Sequence, residues 1–216
     1  MKIKLIIASL LCLSYYQSKA QSQIYIDAFS GSKGQNAEFF YLSTIDQQNK
    51  WAVFSRTEVF LHDYKTEHPT FINFNIISYN FVKNLGLTAG TYASSAYQFS
   101  ARLGLQYFVE SEEFLAYANL TSAVTKNPDG QILVIGNYLP KITEKWRLFT
   151  SAEFRTAINY NMGHQFSAQT FKLGAKYSSR LTFGITTNFE EMRSHHETER
   201  NIGPFINLNL TKAYEK

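Results

Sequence analysis

Long segments of this chain alternate in character with a period of two residues. Between positions 147 and 159, the even-numbered positions hold Leu148, Ala152, Phe154 and Ile158, whereas the odd-numbered positions are mostly polar or charged. The same alternation recurs at 100–109, 169–177, 181–190 and 202–210. Successive side chains of a β-strand point to opposite faces, so this pattern predicts strands. The sequence therefore predicts an all-β protein and excludes a coiled coil or a disordered chain.

The length of the alternating segments separates two kinds of β protein. They run for about 9–13 residues, which is enough to cross a bilayer at a tilt, whereas strands of soluble proteins average about 5–6 residues. Their second face mixes Gly, Ser, Thr and Asn with isolated charges, unlike the strongly solvated face of a soluble sandwich. Both features favour a transmembrane β-barrel.

Twelve segments are predicted to form this barrel. They are 24–29, 36–45, 50–62, 70–82, 85–95, 99–109, 114–124, 131–140, 145–160, 167–178, 181–191 and 201–210. The predicted fold is a single antiparallel transmembrane β-barrel of twelve strands, an even number, as in single-chain bacterial barrels. The segment 24–29 is short and is followed by Gly31 and Gly34, so ten strands are the alternative.

The connections between the segments predict an orientation. The connections 46–49, 83–84, 110–113, 141–144 and 179–180 are short, and the opposite set includes the longer 63–69, 125–130 and 193–200. Short turns are periplasmic in bacterial barrels and longer loops are extracellular. Trp51 and Trp146 each follow a predicted periplasmic turn, which favours membrane-interface aromatics over ordinary strand propensity.

The first twenty residues resemble a secretory signal peptide. Lys2 and Lys4 precede an apolar run, and the small residues Ser18 and Ala20 occupy the positions before a cleavage site. We therefore expect residues 1–20 to be the signal peptide and residues 21–216 to be the barrel. The single cysteine, Cys12, lies in the signal, so the mature chain would form no disulfide.

Charge argues against a nucleic-acid partner. The signal contains Lys2, Lys4 and Lys19, so its removal leaves 18 of the 21 basic residues against 17 acidic ones, a net charge of +1. A basic footprint of the kind that binds nucleic acid is therefore not expected.

Eight charged residues occupy the alternate positions of the predicted strands that form the polar face. A charge that faces lipid near the bilayer centre costs a few kcal/mol, so these side chains are predicted to line the lumen. They are Arg56, Glu58, Arg102, Arg147, Glu153, Arg155, Lys172 and Lys176. Two interpretations remain open, namely an ion-pair network that plugs a narrow barrel and a polar pathway with a basic bias.

Glu153 has a specific expected role among these residues. If Glu153 shares one interior wall with Arg147, Arg155, Lys172 and Lys176, the segments 145–160 and 167–178 must pair through the connection 161–166. Glu153 would then be the carboxylate that offsets a local basic excess. A faint repeat also relates Lys50-Trp51 and Glu58 to Lys145-Trp146 and Glu153 at a separation of 95 residues, although chance explains it equally well.

The final segment resembles the C-terminal insertion signal of outer-membrane barrels. Asn201, Gly203, Ile206 and Leu208 match its polar residue, glycine and spaced hydrophobic residues, although residues 211–216 follow the strand. The Lys-Ala-Gln cleavage site resembles those common in Bacteroidota. The chain thus resembles a small porin-like outer-membrane β-barrel, without pointing to a specific family of known activity.

This resemblance implies a location in the cell outer membrane and a set of partners. Those partners are outer-membrane lipid, the barrel assembly machinery during insertion, and small polar solutes. The leading function hypothesis is a porin-like channel for the passive passage of small polar solutes. The alternatives are a non-conducting structural or surface-interaction barrel and, last, a lipid-active enzyme.

Catalytic and metal chemistry have little support in the sequence. Outer-membrane lipid hydrolases carry His-x-Ser on one strand, whereas the spacing of His164 and Ser167 predicts opposite faces. His195-His196-Glu197 with Glu199 could hold a divalent metal, but a polar loop is the simpler interpretation. No catalytic residue, no metal site and no cofactor is therefore predicted.

Overall fold

Every segment predicted from the alternation forms a strand. The computed structural model describes residues 22–46, 48, 50–65, 69–95, 99–192 and 198–211, so the predicted signal peptide lies outside the described residues. The strands are β1 (Ser22–Gly31), β2 (Gly34–Thr44), β3 (Trp51–His62), β4 (Thr70–Val82), β5 (Leu85–Ser94), β6 (Ser100–Glu110), β7 (Phe114–Ala123), β8 (Asp129–Tyr138), β9 (Trp146–Asn159), β10 (Gly163–Tyr177), β11 (Leu181–Met192) and β12 (Thr198–Asn209).

The strands form a closed antiparallel barrel in sequence order. Closure is made by β1 and β12, whose register pairs Tyr25 with Asn209 and Phe29 with Phe205. The doubtful first segment is therefore a full strand, and the prediction of twelve strands is confirmed. Closure leaves no strand edge unpaired, which a barrel in lipid requires.

The barrel has two distinct ends. Because the strand number is even, β1 begins and β12 finishes at the same end, which we call the termini end, and the other is the loop end. The predicted pairing of the segments 145–160 and 167–178 is confirmed by β9 and β10. The connection between them is shorter than predicted, since β10 already begins at Gly163.

The outer surface of the barrel is apolar. Large hydrophobic side chains that are about half exposed cover it, among them Leu87, Leu103, Leu120, Leu173, Ile185 and Leu208. Trp51 and Trp146 also lie exposed at the termini end, where their rings contact those of Tyr79 and Tyr177. Among the described residues, no helix has the length and apolar character to cross a membrane.

The interior is not uniformly polar. Nine buried hydrophobic residues of β2, β3, β4, β7 and β8 pack together inside the barrel, and we call them the apolar cluster. They are Phe40, Leu42, Phe54, Phe74, Ile76, Leu115, Tyr117, Leu133 and Ile135. The rings of Phe54 and Tyr117, from strands that are not neighbours, stack at 4.9 Å. This part of the lumen is therefore filled, which the alternation did not predict.

Candidate functional site

Charged side chains bridge the lumen from opposite walls. In the ring of twelve strands, β3 and β9 are six positions apart. Arg56 Nη1 of β3 lies 2.8 Å from Glu153 Oε1 of β9, and Arg155 Nη1 of β9 lies 2.9 Å from Glu58 Oε2 of β3. Within the strands, Arg56 also pairs with Glu58, and Arg155 pairs with Glu153 at 3.1 Å. Four residues thus form a closed set of ion pairs across the barrel.

Three further residues extend this set. Glu38 Oε2 of β2 lies 3.2 Å from Arg56 Nη2, and Asp27 Oδ1 of β1 lies 2.9 Å from Lys172 Nζ of β10. We call these seven residues the ion-pair cluster: Asp27, Glu38, Arg56, Glu58, Glu153, Arg155 and Lys172. Burial is deep at its centre, where the side chain of Glu58 is 0% exposed and that of Arg56 is 7% exposed.

The ion-pair cluster has no basic excess. It contains three cationic side chains and four carboxylates, a formal net charge of −1. Of the two interpretations left open, the basic bias is therefore not supported at this level of the lumen. Asp27 and Glu38, which were not among the predicted residues, supply two carboxylates that remove the excess. Both lie on the lumen face of their strands. The same alternate positions also hold the aromatic residues Tyr25, Phe29 and Phe40, so the polar pattern is hidden in the sequence.

The other predicted lumen residues lie apart from this cluster. Arg102 is buried on β6, where it pairs with Asp129 at 3.2 Å and donates to Thr121. Lys176 lines the lumen nearer the termini end. Arg147 donates to the main-chain carbonyls of Glu112 and Leu139 at that end. The expectation that Arg147 and Lys176 join Glu153 in one cluster is wrong, since they lie nearer the ends of their strands.

Open space reaches the ion-pair cluster from both ends of the barrel. A cavity of about 290 Å³ at the termini end, the termini-end cavity, is lined by Asp27, Glu38, Glu153 and Lys172. A smaller space of about 60 Å³ towards the loop end, the loop-end cleft, is lined by the same four residues. One layer of charged side chains therefore separates the two spaces.

A third space opens beside the cleft. It has a volume of about 450 Å³ and is lined by residues of the strands β3 to β11, including Arg56 of β3. We call it the loop-end pocket. It shares Arg56 and Arg155 with the loop-end cleft, but it shares no described residue with the termini-end cavity.

The structure corrects the prediction for His164 and Ser167. A β-bulge between His164 and Phe166 reverses the alternation, so the two side chains meet, with Nε2 2.8 Å from Oγ. A catalytic histidine must accept the serine proton. Here Ser167 Oγ donates to Thr156 Oγ1 at 3.0 Å, and Thr156 donates to the Phe166 carbonyl at 3.1 Å. His164 is therefore placed to donate, and the contacts brace the bulge.

The candidate metal residues receive no support from the described chain. His195, His196 and Glu197 lie outside the described residues, and Glu199 is an exposed residue of β12. Within the described ranges, no group of three or more His, Cys, Asp or Glu side chains is arranged to hold a metal ion.

This chain is similar to known proteins in its fold. No protein-family model matches the chain, and no curated protein sequence matches it. The NanC porin has a similar structure, with a TM-score of 0.54 and 8% identity over 89% of this chain and 100% of that porin. The KdgM porin in complex with disordered oligogalacturonate gives a TM-score of 0.49 at 9% identity, covering 89% of this chain and 99% of KdgM. The fold shared with the NanC porin is a closed β-barrel, and the apolar exterior of this chain is suited to contact with lipid.

Proposed function

We propose that this barrel is a narrow porin-like channel through which small polar solutes pass passively. The observation that carries the proposal is the meeting of two open spaces at the ion-pair cluster. The loop-end cleft and the termini-end cavity both reach Asp27, Glu38, Glu153 and Lys172. A solute that displaces this one layer of side chains would cross the whole barrel.

The route follows the polar side of the lumen. Thr170 lines both spaces, and Thr182 and Asn207 line the termini-end cavity, whereas the apolar cluster occupies strands β2 to β4, β7 and β8. Hydroxyl and amide side chains can replace water around a polar solute without binding it tightly, as passage requires. The nearly balanced charge of the ion-pair cluster suits polar and zwitterionic solutes.

The alternative is a non-conducting structural barrel. The ion pairs that join β3 to β9 favour it, because they close the lumen in this conformation. A buried ion pair with good geometry is hard to open, since each separated charge would lose its partner in a poorly solvated site. The two functions therefore differ in whether the ion-pair cluster opens.

Conductance in planar lipid bilayers tests the proposal. The wild-type barrel should give small single-channel currents, and the double variant Asp27→Ala with Lys172→Ala should give larger ones, because it removes a whole ion pair from the layer that closes the route. The exposed substitution Glu113→Gln serves as the control and should leave the current unchanged. If neither the wild type nor the double variant conducts above background over a wide voltage range, the barrel is structural.

Insertion by the barrel assembly machinery belongs to the same proposal. The predicted signal residues Ile206 and Leu208 lie on β12 with side chains 47% and 46% exposed on the outer surface. Contacts with outer-membrane lipid would be made by this surface.

We do not propose a lipid hydrolase, because the hydrogen bonds of Ser167 direct its proton away from His164.

A further inference from the structure

The loop-end pocket is a blind space beside the polar route. Its floor includes Phe74 and Leu133, which belong to the apolar cluster that fills the lumen towards the termini end. The pocket and the termini-end cavity have no described lining residue in common. A molecule that enters this pocket from the loop end therefore meets a closed floor, and the pocket is suited to binding.

The walls of the pocket are unusually apolar for a lumen. Ile72, Tyr92 and Phe166 face it together with the two floor residues. Apolar surface that stays in contact with water costs roughly 25 cal/mol for each Å². Because polar residues are equally possible at lumen positions, the apolar residues here favour an apolar ligand that covers them. A volume of about 450 Å³ also lies within the range of about 300–1,000 Å³ that is typical of small-molecule sites.

The charged groups at the edge of the pocket are mainly cationic. Arg56, Arg102 and Arg155 line it together with one carboxylate, that of Asp129, whereas the carboxylates that pair with Arg56 and Arg155 are not among the lining residues. Glu58 pairs with Arg155 but has a fully buried side chain and does not line the pocket, and Arg155 also pairs with Glu153 at 3.1 Å. The Arg155 guanidinium lies 5.8 Å from the ring centre of Phe166, and that of Arg102 lies 5.7 Å from the ring centre of Tyr92. Aromatic faces and cations thus alternate around the space.

We infer that the loop-end pocket binds a small amphipathic molecule that combines an apolar ring system with one anionic group. The ring system would cover Phe74, Tyr92 and Leu133, and the anionic group would lie against Arg155. This site shares Arg56 and Arg155 with the loop-end cleft, but the inference does not depend on conduction.

Calorimetric titration of the purified barrel in dodecyl maltoside tests the inference. The probes are 2-naphthoate and its neutral counterpart 2-naphthamide, each corrected for protein-free micelles. We expect saturable binding of one naphthoate per barrel, and affinity for naphthamide about tenfold weaker, because only the carboxylate gains from the arginine. Equal affinity for both probes, or heat from micelle partitioning alone, would overturn the inference.

Matched variants locate the binding. The pair Glu58→Gln with Arg155→Gln removes one charge of each sign and leaves a neutral buried pair, so it should weaken naphthoate binding about tenfold and leave naphthamide unchanged. Tyr92→Ala should weaken both probes about fivefold, through the lost ring contact. The control pair Asp27→Asn with Lys172→Gln lies in the same cluster but outside the pocket, and it should bind naphthoate like the wild type.

Heat-dependent migration on gels shows whether each variant is folded. If the control pair loses as much naphthoate affinity as the Glu58 and Arg155 pair, the site is not in the loop-end pocket. If Tyr92→Ala folds and binds both probes like the wild type, the apolar contact is refuted. Either result overturns the inference.

Discussion

At the scale of single residues, Glu58 and Glu153 differ in burial within the ion-pair cluster. Both carboxylates bridge Arg56 and Arg155, but the Glu58 side chain is 0% exposed, whereas that of Glu153 is 12% exposed and borders open space on both sides. Removing one partner of a buried ion pair leaves the other charge uncompensated, at a cost of about 3–5 kcal/mol. We therefore expect stability to depend chiefly on Glu58 and ion preference chiefly on Glu153.

The substitution Glu58→Gln should lower the free energy of unfolding by about 3 kcal/mol, because Arg155 would keep only Glu153 as a partner. Urea titration of the purified barrel in detergent measures this change. Glu113→Gln, an exposed turn residue, is the control and should stay within about 0.5 kcal/mol of the wild type. A loss for Glu58→Gln no larger than that of the control would show that the ion pairs contribute little to stability.

The substitution Glu153→Gln should shift the ion preference of an open channel towards anions. It removes one of the four carboxylates of the ion-pair cluster, so the formal charge of the cluster rises from −1 to 0. The reversal potential under a salt gradient measures the preference, and the unfolding temperature measures the accompanying, smaller loss of stability. If neither quantity changes, Glu153 is solvated independently and does not belong to a coupled set of charges.

At the scale of the elements, β10 and β11 approach each other closely at a pair of glycines. Gly174 lies directly opposite Gly184 in their register. A Cβ added at Gly174 would collide with the main-chain carbonyl of Phe183, which cannot move without distorting the pairing. The two strands are thus held in a geometry that excludes any larger side chain at this point.

Replacing Gly174 with Ala should therefore destabilise the barrel by about 1–3 kcal/mol, the usual cost of overpacking. The matched change Gly136→Ala on β8 should be neutral, since its Cβ would lie 4.0 Å from the nearest atom, the carbonyl oxygen of Ala152. Unfolding in urea measures both variants. An equal effect of the two substitutions would mean that the close approach of β10 and β11 is not required.

At the scale of the whole molecule, the orientation of the barrel decides which spaces face the medium. The predicted orientation places the termini end in the periplasm and the loop end, with its pocket, outside the cell. The exposed residues Asn161 and Glu144 lie in connections at opposite ends. The loop-end pocket is accessible to extracellular molecules only if this orientation holds.

Single cysteines test the orientation in intact cells, because the predicted mature chain has no cysteine of its own. A membrane-impermeant maleimide should label Asn161→Cys and spare Glu144→Cys. Both variants should be labelled after the outer membrane is permeabilised, which controls for expression and reactivity. The reverse pattern in intact cells would invert the orientation.

The sequence by itself determined the strands, their number and their pairing in order along the chain. The reason is that these properties are local, since a period of two marks each strand and a short connection joins it to its neighbour. Even β1, with its weak pattern, was placed within a few residues of its true bounds. The parity of Arg56 and Glu58 likewise predicted that they face the lumen.

Only the tertiary structure decided what those side chains meet. Arg56 and Glu153 are 97 residues apart, and closure of the ring places their strands on opposite walls within reach of one another. The bulge at His164 came from a local break in the register that no period reveals. The apolar cluster and the loop-end pocket depend on the width of the closed barrel. Closure sets the distance between opposite walls, and that distance decides whether side chains from separate strands fill the lumen or leave a pocket in it.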